Sequence, residues 1–251
     1  MARIELRDQV ALITGAAQRV GRIIALELAQ AGVHVLVHYH SAEPAQVRAA
    51  LDEIKSLGVD AHSVRADLSS AEGVDELMAA AQDRFDRLDI VVNSASVFQT
   101  RDFLGVSLAD WDLTMAVNLR APFLITQRAA RLMAANPSPG GVIVNICDAG
   151  VDGPWPKYPH HGISKSALWM LTQVSALTLG PAIRVNAIAP GPVMKSAGRD
   201  TSDEEWAQVG ERSVLRKTGE PEDVARAVVY LCQEDHITGA LLHVNAGEHL
   251  R

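Results

Sequence analysis

Short β-branched apolar runs alternate along this chain with longer stretches whose apolar positions recur about one helical turn apart. The run "VALIT" (Val10 to Thr14) gives way to a stripe at Val20, Ile24, Leu28 and Ala31, and then to "HVLVHYH" (His34 to His40). That is the pattern of a β-α-β unit. It repeats through "PAQVRAALDEIKSLG", "AHSVRADL", "AEGVDELMAAAQDRF" and "LDIVVNSAS", then through a long helical run from Leu108 to about Ala135 and the strand "GVIVNICD". A helix from His161 to Leu179, the strand "IRVNAIAPG", the helix "PEDVARAVVYLCQ" and a last apolar run "GALLHVNAG" complete the series. About seven strands separated by helices predict an α/β fold. Its parallel sheet is covered on both faces, because parallel neighbours need crossover connections and these are right-handed.

Nothing in the pattern reads as a linker. The stretches "NPSPGG" and "DGPWPKYP" are short turns or loops, so residues 1–251 are expected to form a single domain. A hydrophobic fraction of 48% supplies an ample core. The formal charge of −7 argues against nucleic-acid or anionic-membrane partners, which would repel the average surface. The opening "MARIELRDQVALITG" lacks a long apolar core, and no segment of ~20 apolar residues follows, so a soluble cytoplasmic protein is the expectation. Cys147 and Cys232 lie far apart and outside metal-ligand spacing; they read as reduced core thiols, and no metal site is expected.

The segment "TGAAQRVG" (Thr14 to Gly21) ends the first strand and opens the first helix. Gly15 permits a tight turn, Gly21 permits close packing of helix on strand, and free N–H groups at the helix start suit a pyrophosphate. The end of the second strand reads "HYHSAE", with Glu43 too far along to hold a ribose 2′-hydroxyl, so no acid repels a 2′-phosphate. Arg19 offers that phosphate a planar fork of donors, and His38, His40 or Ser41 add hydrogen bonds; NADP(H) is therefore the expected cofactor. The competing reading makes Arg19 a solvated surface residue and the histidines strand-end fillers.

The "TGxxxRxG" form, "NSAS" after the fourth strand and a lysine in the long helix together resemble the short-chain dehydrogenase/reductase family across the whole chain. Arg19 at the family's middle glycine position, "HYH" and "NSASVF" are similar to its pteridine reductase branch. The resemblance implies a Rossmann-type fold and a homotetramer. It also implies cofactor contacts from Gly15, Arg19, Val20 and Gly21, and from His38, Tyr39, His40 and Ser41. Asp67 and Leu68 would border the adenine, Asn93, Ser94, Ala95 and Ser96 the adjoining ribose, and Pro190 and Gly191 the nicotinamide.

In that family a tyrosine exchanges the proton, a lysine four residues later assists it and holds the nicotinamide ribose, a serine orients substrate, and an asparagine supports a relay water. Lys165 matches the lysine and Asn118 the asparagine, but the serine falls at Asp148 and the tyrosine at His161. Pteridine reductases carry an aspartate at the serine's position, where it takes part in proton delivery. Residues 161 and 165 lie about 6 Å apart along a helix and share a face. An imidazolium beside Lys165 would be repelled, whereas Asp148 would favour it, so Asp148 and His161 are expected to act as a coupled acid pair with Lys165 chiefly holding the ribose.

Tyr158 stands three residues before His161 and could replace the missing phenol, but Pro156 and Pro159 suggest a loop there, so it reads as a substrate wall, with His160 facing solvent or a second layer. Phe98 falls where pteridine reductases stack the pterin; simple core packing is the alternative. Residues 192–215 form either a mobile lid or an ordinary helix-bearing insertion, and Arg251 would approach a neighbour's pocket. The expected activity is NADPH-dependent reduction of a C=N or C=O carbon in a small, pterin-like substrate. A carbonyl or 3-oxoacyl reductase is the alternative within the class, and an NADP(H)-binding sensor or scaffold the alternative outside it.

Overall fold

A computed structural model describes residues 3–195 and 200–251. Seven parallel strands form one sheet in the order β3-β2-β1-β4-β5-β6-β7. They are β1 (Val10–Ile13), β2 (His34–Tyr39), β3 (Ala61–Arg65), β4 (Ile90–Asn93), β5 (Gly141–Ile146), β6 (Ile183–Pro190) and β7 (Leu241–Val244). The helices are α1 (Arg19–Gln30), α2 (Pro44–Lys55), α3 (Ala71–Arg84), α4 (Leu108–Met115), α5 (Ala121–Ala134), α6 (Pro159–Leu179), α7 (Asp203–Gly210) and α8 (Pro221–Gln233). Strand order reverses between β1 and β4, so the crevice outside the carboxyl ends of these strands is where such a sheet receives a ligand.

Alternation along each strand divides the core. Ala11 and Ile13 of β1 face one layer with Ile24 and Leu28 of α1, Ile54 of α2 and Val224, Val228 and Leu231 of α8. Val10 and Leu12 face the other, with Leu77 of α3, Ile125 and Met133 of α5 and Ala176 of α6. Because both faces are covered, β1 and β4 are buried along their whole length, and β1 reads as an unbroken apolar run. Cys147 and Cys232 are free, buried thiols, each pushed up to about 12 by burial. Among the described residues no helix is long and apolar enough to cross a membrane, and no group of three potential metal ligands occurs.

Two local departures from the sequence pattern matter for the site. The helical run after Leu108 is interrupted by a π turn, Ala116–Arg120, before α5. Pro122 has no N–H for the carbonyl of Asn118 four residues earlier, and the wider turn, in which Ala121 N–H reaches Ala116 O, absorbs the mismatch. The second departure is the start of α6, which includes Pro159 as its first helical residue rather than beginning at His161. A first-turn residue needs no N–H partner, so proline is accommodated there.

Candidate functional site

The turn between β1 and α1 is fixed from several sides. Gly15 has φ +68°, and a Cβ on it would lie 3.1 Å from Ala95 Cα; a Cβ on Gly21 would lie 2.4 Å from the carbonyl oxygen of Gly15. The glycines are therefore required by backbone conformation and close approach. Thr14, whose role the sequence reading missed, accepts hydrogen bonds through Oγ1 from the N–H groups of Ser94 (2.9 Å) and Ala95 (3.0 Å), tying the loop after β4 to the turn. Its place at the head of the glycine motif was the available signal.

His38 departs from expectation. It is 2% exposed, its Nδ1 accepts from Gly15 N–H (3.1 Å) and its Nε2 donates to Ala66 O (3.1 Å). Both nitrogens are occupied, so His38 braces the turn instead of reaching a phosphate, and the Gly15 N–H is not free for one. Burial lowers its pKa from the ordinary 6.5 to about 4, opposed by the Ala66 carbonyl and reinforced by His40. The unfolded chain therefore binds this proton more readily than the folded one. Stability from this group is complete above pH 6.5 and is lost as pH falls toward about 4, by roughly 3 kcal/mol in all. Urea unfolding of wild type and His38→Gln at matched pH values between those limits should show a steeper acid loss in wild type; parallel curves would contradict the assignment.

Other positions around this end of the crevice are placed as follows. Arg19 is exposed, has φ +56°, and donates from Nη2 to the carbonyl of Lys195 (3.0 Å) across the crevice. Val20 and Tyr39 are half-buried, and His40 and Ser41 are exposed, with His40 Nδ1 3.3 Å from Ala66 O. Glu43 caps α2 in a reciprocal box with Gln46. Asp67 is exposed and its carboxyl is lowered by hydrogen bonds from Ser69, while Leu68 is buried. Ser94 and Ala95 are half-buried and Ser96 exposed at the crevice. Asn93 differs: it is 3% exposed, and Nδ2 donates to Asn145 Oδ1 (2.8 Å) inside the sheet. Its side chain links β4 to β5 rather than facing a ribose, because a strand's final residue here still points into the core.

Farther along, β5 and α6 converge. Asp148 Oδ2 lies 2.5 Å from His161 Nε2, and its Oδ1 accepts from Gly150 N–H at 2.9 Å. His161 Nδ1 is 3.0 Å from Val97 O and 3.3 Å from Asn118 Nδ2. A carbonyl can only accept, so this contact assigns a proton to Nδ1. The two Asn118 amide hydrogens then go to Val97 O (3.0 Å) and Ser164 Oγ (3.1 Å). With Nδ1 protonated, the Nε2–Oδ2 contact requires one further proton, held as imidazolium with carboxylate or as imidazole with carboxylic acid. Either form makes the pair a donor of one proton.

Asn118 sits in the π turn, where its Oδ1 also accepts from Val97 N–H at 2.7 Å. Lys165 is 3% exposed and donates from Nζ to Ile146 O at 2.7 Å. Burial lowers its pKa, and the nearby Asp148 and Cys147 oppose that shift.

An aromatic wall borders the pair. Phe98 is 46% exposed, which rules out simple core packing; its ring stacks on Tyr158 (4.3 Å between centroids, 9°) and meets His161 edge-on (4.6 Å, 79°). Tyr158 is the residue just before α6, with its ring turned to the site. Trp155, in the loop before α6, packs against both rings and completes the wall. His160 is not solvent-facing: it is 1% exposed, with no partner for either ring nitrogen. Pro190 is the last residue of β6, and Gly191 follows it with its N–H donated to Val244 O. Of the segment 192–215, residues 196–199 lie outside the described residues, and the remainder carries α7. Arg251 donates to Glu211 O (3.1 Å) in its own chain, so within this chain it is held at home.

Comparison with known proteins agrees with the fold. Residues 15–249 match the family model described as enoyl-(acyl carrier protein) reductase. The 3-oxoacyl-[acyl-carrier-protein] reductase FabG of Aquifex aeolicus is 36% identical over 249 residues, covering 97% of this chain and 98% of the relative. The structure of FolM alternative dihydrofolate reductase 1 from Brucella canis, complexed with NADP, is 31% identical with a TM-score of 0.89, covering 99% and 97% of the two chains. A short-chain dehydrogenase/reductase from Serratia marcescens is 31% identical with a TM-score of 0.90, covering 98% and 100%. Matched by the family model over residues 15–249 and similar to these relatives over nearly their entire length, the chain belongs to the short-chain dehydrogenase/reductase family.

Proposed function

We propose that this oxidoreductase is an NADPH-dependent reductase that delivers hydride to a C=N or C=O carbon of a small, flat, pterin-like molecule. The residues present fit the cofactor. A Cβ at Gly15 or Gly21 would fill the cradle, Arg19 stands exposed beside it, and Glu43 is engaged in its capping box, so no acid meets a 2′-phosphate. NADP bound to the similar FolM structure supports the same choice. When bound, the cofactor supplies the hydride.

The observation that carries the reading is the 2.5 Å contact between Asp148 and His161, set against the half-exposed ring of Phe98. The pair holds the proton that must accompany hydride. Val97 O, which also accepts from Asn118, orients His161 through Nδ1–H, and Lys165 lies buried at the same end of β5. Phe98 offers an aromatic surface, though Tyr158 covers one face, so a flat substrate meets the other face or displaces Tyr158. The relationship to FabG favours a second reading, reduction of a 3-oxoacyl carbonyl.

Loss of NADPH absorbance with 7,8-dihydrobiopterin, an acetoacetyl thioester and a quinone separates these. Dihydrobiopterin is expected to give the largest kcat/KM; a preference for the thioester would transfer the proposal to the second reading. NADPH binding without turnover of any, unchanged in His161→Tyr, would make the chain a cofactor sensor. We also propose that it acts as a cytoplasmic homotetramer; the exposed apolar stripe Ile163, Met170, Val174 and Leu177 along α6 supports burial against another copy.

A further inference from the structure

We infer that Glu248, near the carboxyl end of the chain, selects substrates by disfavouring anions and favouring molecules that present an N–H beside a carbonyl, as a cyclic amide does. The inference deepens the reductase reading and rests on it. Glu248 opens the last 3-10 turn, Glu248–Leu250, which packs against the 3-10 turn Ala149–Val151 that follows Asp148. Three bonds hold this end of the chain in place. Leu215 N–H donates to Ala246 O (3.1 Å), Glu248 N–H to Asn245 O (2.9 Å) and Arg251 Nη1 to Glu211 O (3.1 Å). His243 Nε2, 2.7 Å from Asp152 Oδ2, and the stack of His243 on His249 (3.9 Å, 18°) clasp it to the Asp148 side.

So held, the Glu248 carboxyl approaches Gly191 at the end of β6. Its Oε2 would lie 3.2 Å from a Cβ on Gly191, and that oxygen is buried without a hydrogen-bond partner. Asn245, 5% exposed, approaches the same glycine; its Oδ1 is taken by Gly247 N–H and His249, while its buried Nδ2 has no partner. An acceptor and a donor are thus left without partners on two residues that both approach Gly191, and the N–H and C=O of a cyclic amide are the partners each lacks. Burial raises the Glu248 carboxyl from its ordinary value; Arg212 opposes this and Asp148 adds to it. Asp148 already has partners in His161 and Gly150, whereas Glu248 has none for Oε2. An anionic substrate would bring a third negative group into the same space.

The test is NADPH-dependent reduction by the full chain of three probes: 7,8-dihydrobiopterin, ethyl acetoacetate and acetoacetate. In Glu248→Gln, kcat/KM for dihydrobiopterin should fall about tenfold through KM, that for acetoacetate should rise about tenfold, and that for the neutral ester should stay within about twofold. Uniform change across the three, or none, overturns the inference. If wild type reduces none of them, the reductase reading fails for these classes. Selection is then read by tryptophan fluorescence as 2,4-diaminopteridine binds the NADP-loaded protein. About tenfold weaker binding in Glu248→Gln sustains a role in recognising N–H groups, and equal affinity removes it.

Discussion

Replacing His161 by glutamine is expected to lower kcat about a hundredfold to a thousandfold while NADPH affinity changes by less than about twofold. Glutamine keeps a polar side chain of similar reach, but it cannot hold and release the proton assigned to the Nε2–Oδ2 contact. The glycine turn of the cofactor cradle is built by β1 and α1 without this side chain, so binding should persist. Asp148→Asn should cost a similar factor, because the amide no longer supports the imidazolium. The double variant should be hardly worse than either single one, since both remove one unit. Additive losses would show that the residues act separately. Retained activity in His161→Gln would move the proton donor elsewhere, with Tyr158, stacked on Phe98 beside His161, the first place to look. The binding measurement, by quenching or calorimetry, distinguishes lost chemistry from a lost fold.

Gly21→Ala should weaken NADPH binding by at least about tenfold and destabilise the protein by roughly 1–3 kcal/mol. The added Cβ would sit 2.4 Å from the Gly15 carbonyl oxygen, well inside contact distance. Relief requires moving either the turn or α1. The turn cannot yield cheaply, since Gly15 N–H is bonded to His38, Ala16 N–H to His38 O, and Thr14 Oγ1 to the N–H groups of Ser94 and Ala95. Helix α1 is packed through Ile24 and Leu28, both fully buried. The strain therefore spreads into the segments that form the cradle. Cofactor titration and urea unfolding of the same preparation give both quantities; normal binding with normal stability would mean that α1 shifts without resistance.

The series of strands and helices was legible in the sequence because its cause is local. Strands covered on both faces must be apolar throughout, and helices covered on one face repeat their apolar positions once per turn. The glycine turn was legible for the same reason, since Gly15 and Gly21 lie within one short stretch between a strand and a helix. Where sequence reading erred, partners came from elsewhere in the chain. His38 reads as a polar strand end, but the pairing of β2 with β1 and β3 brings it under Gly15 and Ala66. Asn93 is turned inward to Asn145 on the neighbouring strand.

Spacing showed that His161 and Lys165 share a helix face, and family resemblance suggested that Asp148 joins them. Only the packing of α6 against the end of β5 decides that Asp148 touches His161, and only the path of the last turn carries Glu248 to Gly191. Backbone preference and solvent exclusion act over a few residues and leave their mark as periodicity. A proton shared between two side chains depends on tenths of an ångström between separate elements, a quantity fixed by the whole folded chain.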